Sequence, residues 1–539
     1  MLHKLIAALG ALALAACATP AGAPPAPATA AATPGPPASY EATGWLARTL
    51  PELSGALIGR EITSVELTQA YLDRIAALDR AGPRLQSILA VNPDALAQAA
   101  ASDARRAGGQ ARSPIDGIPV LLKDNIESAD PVPTTAGSLA LRDNITGRDS
   151  PLVASLRDQG AIILGKANLS QWANFRSNQS LSGWSSAGGQ VRNPHMLDRN
   201  PCGTSSGTGA AIAASLAAGG IGTETNGSII CPSNVNGLVG FKPTVGLIPQ
   251  DGIVPISPSQ DTAGPMERTV LGAAFLLDAM VPEEASFAAQ LSADALKGVR
   301  IGVLRAAQGS NPDIIARFDA ALDIMKGQGA ELVEITEFDA PPEFWPASLL
   351  VLEYEFKASL NAYLAAAPPA VTTRTLAQVI AFNKDHAAEE LALFGQDLFE
   401  ASDALGPLTD EAYLKALALV QSATRENGID KLLADHNVSV LVAPSGPVAP
   451  RVDPVNGDVW PEWAGAGWAP AIAGYPNLTV PMGDVHGVPV GISFMGGRNT
   501  DAAILGYGYA YEQASGIRLT PKYLESAEDR PEIKAAMQK

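Results

Sequence analysis

The stretch "GTSSGTGAAIAASLAAGGIGTETNGSI" (203–229) begins as a glycine-rich loop and ends on a serine, Ser228, held behind Asn-Gly. Residues 204–220, "TSSGTGAAIAASLAAGG", read as that loop running into a helix of small residues that must pack tightly. Gly227 allows a bend at φ > 0 that a residue with a Cβ resists. Successive backbone N–H groups in such a bend can point inward together and hold an oxyanion. A serine at its end would stand beside those donors. Taken alone, the segment reads as an Asn-Gly turn with a polar residue in it. A nucleophile also needs a base, and none of the five histidines is convincingly placed.

Outward from this stretch the chain alternates strands and helices. "PIDGIPVLLKDNI" (114–126) reads as a turn, then a short buried strand, "IPVLL", that delivers Lys123 at its polar exit. "GAIILGKAN" (160–168) repeats the pattern, and "GLVGFKPTVGLIP" (237–249) reads as a strand and turn. "EITSVELTQAYLDRIAALDR" (61–80) is an amphipathic helix with Thr63 and Glu66 as a capping box. Residues 282–435 turn mostly helical and more acidic, an insertion or cap on one core. "VSVLVAPSGPVAP" (438–450) resumes the strand pattern, which "AGYPNLTVPMG" and "GVPVGISFMGG" complete. The class is α/β with a largely buried sheet.

With 47% apolar and 17% charged residues the 539-residue chain is globular. A formal charge of −18 argues against nucleic acid and against docking on anionic lipid through a basic face. No metal-ligand cluster is visible, and neither metal nor cofactor is expected. The N-terminus, "MLHKLIAALGALALAACATP", has a lysine, a short apolar run and "LAAC" (Leu14–Cys17). The run is too short to span a bilayer and reads as an export signal over 1–16. "LAAC" resembles the lipobox of bacterial lipoproteins, which implies lipidation at Cys17. Residues 17–39, Pro/Ala-rich after the cysteine, would form a tether reaching roughly 60–70 Å. The expected location is therefore periplasm-facing, at the outer membrane, with the lipid as the membrane contact. Cys202 and Cys231 either bridge or stay as two thiols.

"GTSSG" (203–207) matches the nucleophile elbow of α/β-hydrolases, with Ser205 as nucleophile. The elbow requires a hydrophobic strand before it, and "RNPHMLDRNPC" is polar and broken by two prolines. His386, His436 and His486 stand in charged or glycine-rich surroundings and read as surface residues. An esterase using Ser205 and a histidine is the enzymatic alternative. A catalytically silent binding lipoprotein is the other.

"GIPVLLKDN" (117–125), "GAIILGKAN" (160–168), the opening stretch, "GLVGFKPTVGLIP" (237–249) and "SQDTAGPMERTV" (259–270) occur in this order. Together they resemble the core of the amidase signature family, whose centre is Ser–cis-Ser–Lys. "TETNGSIICPSNVNGLVGFKPTVGL" and "EYEFKASLNAYL" (353–364) are most similar to its bacterial peptide amidases. The resemblance implies one large domain, a central twisted mixed β-sheet covered by helices, over 40–530. Its core would be 60–270 and 438–510, with the insertion at about 282–435 between them. It implies Ser228 as nucleophile, Lys123 as base and the N–H groups of Thr225, Asn226 and Gly227 as oxyanion hole. The bridging hydroxyl falls 24 residues before Ser228, on Thr204 where the family has serine; Ser205 is the fallback. Asn226 stands where many members carry glycine. The implied reaction is hydrolysis of a small amide or peptide amide. The family's tRNA-dependent role fits neither the signal nor the acidity.

Independently of the resemblance, a lysine can act as base only when neutral, and burial lowers its pKa by several units. Lys123 follows five nonpolar residues and so can be desolvated. Asp261 reads as structural. Glu353 and Lys357, four apart, can pair along a helix. Trp460, Trp463 and Trp468 can line a substrate entrance.

Overall fold

Strands covered on both faces are unbroken apolar runs, and those flanking the glycine-rich loop behave so. Pro119–Lys123, Ile162–Ala167 and Gly219–Glu224 are buried at every residue. The structure, a computed structural model, describes residues 40–281 and 286–538. The export signal, Cys17 and the tether lie outside the described residues. From Tyr40 onward the chain is one compact unit.

Its centre is an 11-stranded mixed sheet flanked by helices. In spatial order the strands are Ile88–Val91, Ile162–Ala167, Pro119–Lys123, Gly219–Glu224, Thr262–Glu267, Val239–Lys242, Asn477–Val485, Val488–Met495, Val440–Pro444, Arg300–Leu304 and Glu331–Ile335. Pro119–Lys123 runs parallel to both neighbours, with Leu122 opposite Lys166 on one side and Ile221 on the other. Lys123 and Glu224 therefore leave the sheet at the same end. Thr262, paired antiparallel with Glu224, sets Asp261 beside that exit. Ligands bind beyond the carboxyl ends of parallel strands.

The helix expected over 61–80 forms at Ser64–Leu78, with the Thr63–Glu66 capping box made in both directions. Within the mostly helical stretch, residues 286–435 also hold two strands, Arg300–Leu304 and Glu331–Ile335, which pair in parallel and extend the main sheet at its edge. Charged residues within these strands, Arg300, Glu331 and Glu334, break the apolar run that marks a buried strand. The helix Pro312–Gly327 lies between them, and from Phe344–Ala365 onward the stretch is helical, through Leu376–Asp385, Asp397–Asp403 and Glu411–Thr424.

This helical layer is fastened to the core by a buried ion pair. The Arg176 guanidinium donates to the carbonyls of Glu390, Phe394 and Gly395. The Glu390 carboxylate accepts from Ser138 Oγ at 3.1 Å, Ser186 Oγ at 2.9 Å and Leu139 N at 2.7 Å. Glu355 adds a second tie, accepting from Ser257 Oγ and the Tyr413 hydroxyl. Glu353 and Lys357 do not pair among the described residues. Lys357 Nζ instead donates to the carbonyls of Asp403 and Leu405, at 2.6 and 2.5 Å. Those carbonyls at a helix end offer it a nearer home than the partly buried Glu353.

The glycine-rich helix, Ser206–Ala213, is buried at all eight positions. At Gly207 a Cβ would lie 2.2 Å from the Asn168 carbonyl oxygen and 2.6 Å from that of Ser87. Backbone cannot move aside cheaply, and overpacking of this kind costs about 1–3 kcal/mol. Gly207→Ala is expected to lower the urea midpoint by a corresponding amount without changing the slope of the transition.

Candidate active site

The chain after Gly219–Glu224 turns sharply through Thr225–Ile229 into the helix Ile230–Asn236. Gly227 sits at φ +84, and a Cβ there would meet no atom within 4 Å, so only its backbone conformation requires glycine. Glu224, one residue before the bend, clamps it from beneath: its Oε2 accepts from Ile229 N at 2.7 Å and Ile230 N at 3.0 Å. Thr225 Oγ1 donates to Asp261 Oδ1 at 2.5 Å, while Asp261 Oδ2 accepts from the N–H groups of Ile256 and Ser257. Asp261 thus holds the bend from its other side, a structural role. The backbone N–H groups of Thr225, Asn226, Gly227 and Ser228 have no protein acceptor among the described residues. Ser228 is 7% exposed and Asn226 stands open to the cavity.

Lys123 reaches this bend from the neighbouring strand. Its side chain is fully buried, and Nζ lies 2.6 Å from Thr204 Oγ1, 2.8 Å from Thr223 Oγ1 and 3.2 Å from Thr223 O. Asn125 Nδ2 donates to Thr223 Oγ1 at 3.0 Å. Burial lowers the Lys123 amine to about 7, although the negative charges of Asp261 and Glu224 pull it upward. From the usual 10.5, that is about 5 kcal/mol in favour of the neutral amine. Burial also raises Asp261, to about 6.

Thr204 is therefore brought to Lys123, as its register implies. Ser205 makes no hydrogen bond to Lys123 among the described residues. Its hydroxyl donates to Thr223 O and accepts from Thr223 N, which commits it to the strand backbone. The Ser205 N–H donates to the Ser228 carbonyl at 3.2 Å and ties the glycine-rich loop to the bend. The leg from Ser228 to Thr204 is not closed: among the described residues Ser228 Oγ makes no hydrogen bond. Catalytic contacts are often long without substrate. The resemblance also implies a cis bond at the bridging residue, whereas every peptide bond among the described residues is trans, the ordinary form without proline.

Cys202 and Cys231 form a disulfide with Cα atoms 5.7 Å apart. It joins the residue before Gly203-Thr204 to the helix that follows Ser228. Of the histidines, His386 stacks on Phe382 at 4.0 Å, and His486 is exposed, 3.9 Å from Asp313. None of the four described histidines lines the cavity over Asn226 and Gly227.

That cavity measures ≈ 660 Å³. Asn226, Gly227, Ile230 and the disulfide form its floor, and Trp345, Trp460, Trp463 and Trp468 stand around it. The three late tryptophans, which sequence left between an entrance and loop packing, line this cavity; Trp345, from the helical layer, was not foreseen. Nor were Thr223, Asn125, Glu224 and Asp458. Glu224 lay within the opening stretch, but only strand pairing shows which way it faces. Asp458 sits in a loop with no periodicity, where its one signal was the company of tryptophans. Its carboxylate accepts from Ser182 N, at 3.1 Å to each oxygen, and from Asn200 Nδ2 at 2.7 Å, and burial raises its pKa.

The fold and a serine bend facing a buried lysine define a hydrolase of the α/β class. The chain belongs to the amidase family, whose sequence profile matches residues 66–505, and it is an amide hydrolase. A probable amidase of Arabidopsis thaliana is 36% identical over 88% of this chain and 91% of its own. The peptide amidase from Stenotrophomonas maltophilia is 44% identical, with a TM-score of 0.83 over 88% of this chain and 98% of that one. A peptide amidase in complex with the competitive inhibitor chymostatin is also 44% identical, with a TM-score of 0.84 over the same shares.

Only neutral Lys123 has a lone pair to accept a proton. Hydrolysis of an amide is therefore expected to show kcat/KM rising with pH and levelling above about 7. A profile flat from pH 5 to 9 would exclude Lys123 as the base.

Proposed function

We propose that the protein hydrolyses carboxamides, with C-terminal amides of short peptides as its substrates, through a Ser228–Thr204–Lys123 relay. The observation that carries this reading is the fully buried Lys123 amine, 2.6 Å from Thr204 Oγ1 behind a serine bend with free N–H groups. With Thr223 O and Oγ1 taking the two N–H donors of the neutral amine, its lone pair faces Thr204. Thr204 passes its proton to Lys123 Nζ and takes the Ser228 proton. Ser228 Oγ then bonds the amide carbon. The carbonyl oxygen becomes an oxyanion held by the N–H groups of Thr225, Asn226, Gly227 and Ser228. As the C–N bond breaks, the proton returns through Thr204 to the departing nitrogen, and ammonia leaves. Water, deprotonated along the same path, hydrolyses the acyl-Ser228 ester.

A peptide amide suits the cavity for a chemical reason. Among the described residues lining it there is no lysine, arginine or histidine, so a free C-terminal carboxylate has no counter-ion there. The tryptophan walls and the 44% identity to a peptide amidase support the same substrate. From the sequence we infer an outer-membrane, periplasm-facing lipoprotein anchored through Cys17, a reading supported by the export signal, "LAAC", the Pro/Ala-rich tether and Ala18 in place of an inner-membrane retention aspartate.

Ser228→Ala and Lys123→Ala are each expected to reduce ammonia release from peptide amides by about 10³-fold or more. Thr204→Ser should preserve or raise it, and replacing His386, His436 and His486 together should leave it intact. A fully active Ser228→Ala protein would end the mechanism. Cys17→Ser is expected to move the protein from the membrane fraction to the soluble periplasm; an unchanged distribution would remove the anchor.

A further inference from the structure

Asp458 is the one ionisable side chain among the described residues lining the cavity over Asn226 and Gly227, the residues before Ser228. The groups that hold it, Ser182 N and Asn200 Nδ2, are neutral donors. No lysine, arginine or histidine pairs with it among the described residues, so its negative charge is uncompensated within the protein. The tryptophans are close at hand. Trp460, two residues on, packs edge-on to Trp463 at 5.6 Å between centroids, and both line the cavity with Asp458. Trp463 is 43% exposed at the mouth. A carboxylate beside aromatic faces is the donor set that recognises an ammonium or guanidinium, by a charge-assisted hydrogen bond and a cation–π contact. The overall charge of −18 draws cations toward it.

We propose that Asp458, flanked by Trp460 and Trp463, is a cation subsite that makes the enzyme select amides whose acyl portion carries a positive charge. The inference rests on the amide-hydrolase reading of the same cavity. The positive charge can be a lysine or arginine side chain or a free α-ammonium group, and both present the same N–H donors to Asp458.

Two pairs of ligands separate these sources. N-acetyl-argininamide against N-acetyl-citrullinamide changes only the side-chain charge. Leucinamide against N-acetyl-leucinamide changes only the α-ammonium. Ammonia release gives kcat/KM for each, and tryptophan fluorescence of the Ser228→Ala protein gives binding without turnover. The wild-type enzyme is expected to favour the cation by about tenfold or more in at least one pair. Asp458→Asn should bring that ratio close to one, whichever way the absolute rates move, and Asp458→Glu should keep it. A merely structural Asp458 would weaken both members of a pair alike and leave the ratio unchanged, which overturns the proposal. So does a wild-type ratio near one in both pairs. If Asp458→Asn fails to fold, Trp463→Leu serves instead, with a fall of about threefold expected in the ratio. Cation-selective binding without hydrolysis would sink the amidase mechanism and keep the subsite. Hydrolysis without cation preference would do the reverse.

Discussion

The burial of one amine governs this structure. A lysine that is to accept a proton near neutral pH must be neutral there, and only desolvation by the surrounding protein makes it so. The central strand Pro119–Lys123, covered on both faces and paired on both edges, carries Lys123 to a place with no solvent. Two negative groups, Asp261 and Glu224, work against that shift, and each is occupied with another task. Asp261 holds Thr225 and the 256–257 backbone; Glu224 holds the N–H groups after Ser228. The carboxylates that fix the bend at Thr225–Ile229 are thus the ones that limit how far the lysine can be neutralised.

The rest of the site is arranged so that three separate chain segments meet at fixed distances. Strand pairing sets Lys123 beside Thr223. The glycine-rich helix brings Thr204, and its close approach at Gly207 and the Ser205 N–H bond to Ser228 O fix its depth. The Cys202–Cys231 disulfide closes the third side, between the loop and the helix after Ser228. A staple closing a loop of this length stabilises by roughly 3–4 kcal/mol in the chain-entropy account. Above this floor the helical layer, pinned by buried Arg176 and Glu390, supplies Trp345 and Leu398 to the cavity wall. In the proposed mechanism the chemistry rests on the sheet and the selectivity on the layer and loops around it.

Much of this was legible. Unbroken apolar runs located the strands at 119–123 and 162–167, and the capping box at Thr63 located a helix start, because each signal is local. Motif order named Ser228, Lys123 and Thr204, the last by counting back through a glycine-rich loop of fixed length. What escaped was what locality does not encode. The strands at 300–304 and 331–335 were lost among helices because Arg300, Glu331 and Glu334 interrupt the apolar run that reveals a buried strand. Glu224 was in view, but its side-chain direction follows from a neighbouring strand.

The sequence by itself determined the class of chain, the family, and which residue types stand ready for acyl transfer, since these depend on pattern and spacing along the backbone. Tertiary structure alone decided which hydroxyl Lys123 meets, that Ser205 is spent on Thr223, that the two cysteines bridge, and that Asp458 faces the cavity at Ser228. The physical reason is the same in each case. Hydrogen bonds, desolvation and disulfides act over a few ångströms, and residues from 123 to 458 come within that reach only when the sheet and its loops are assembled.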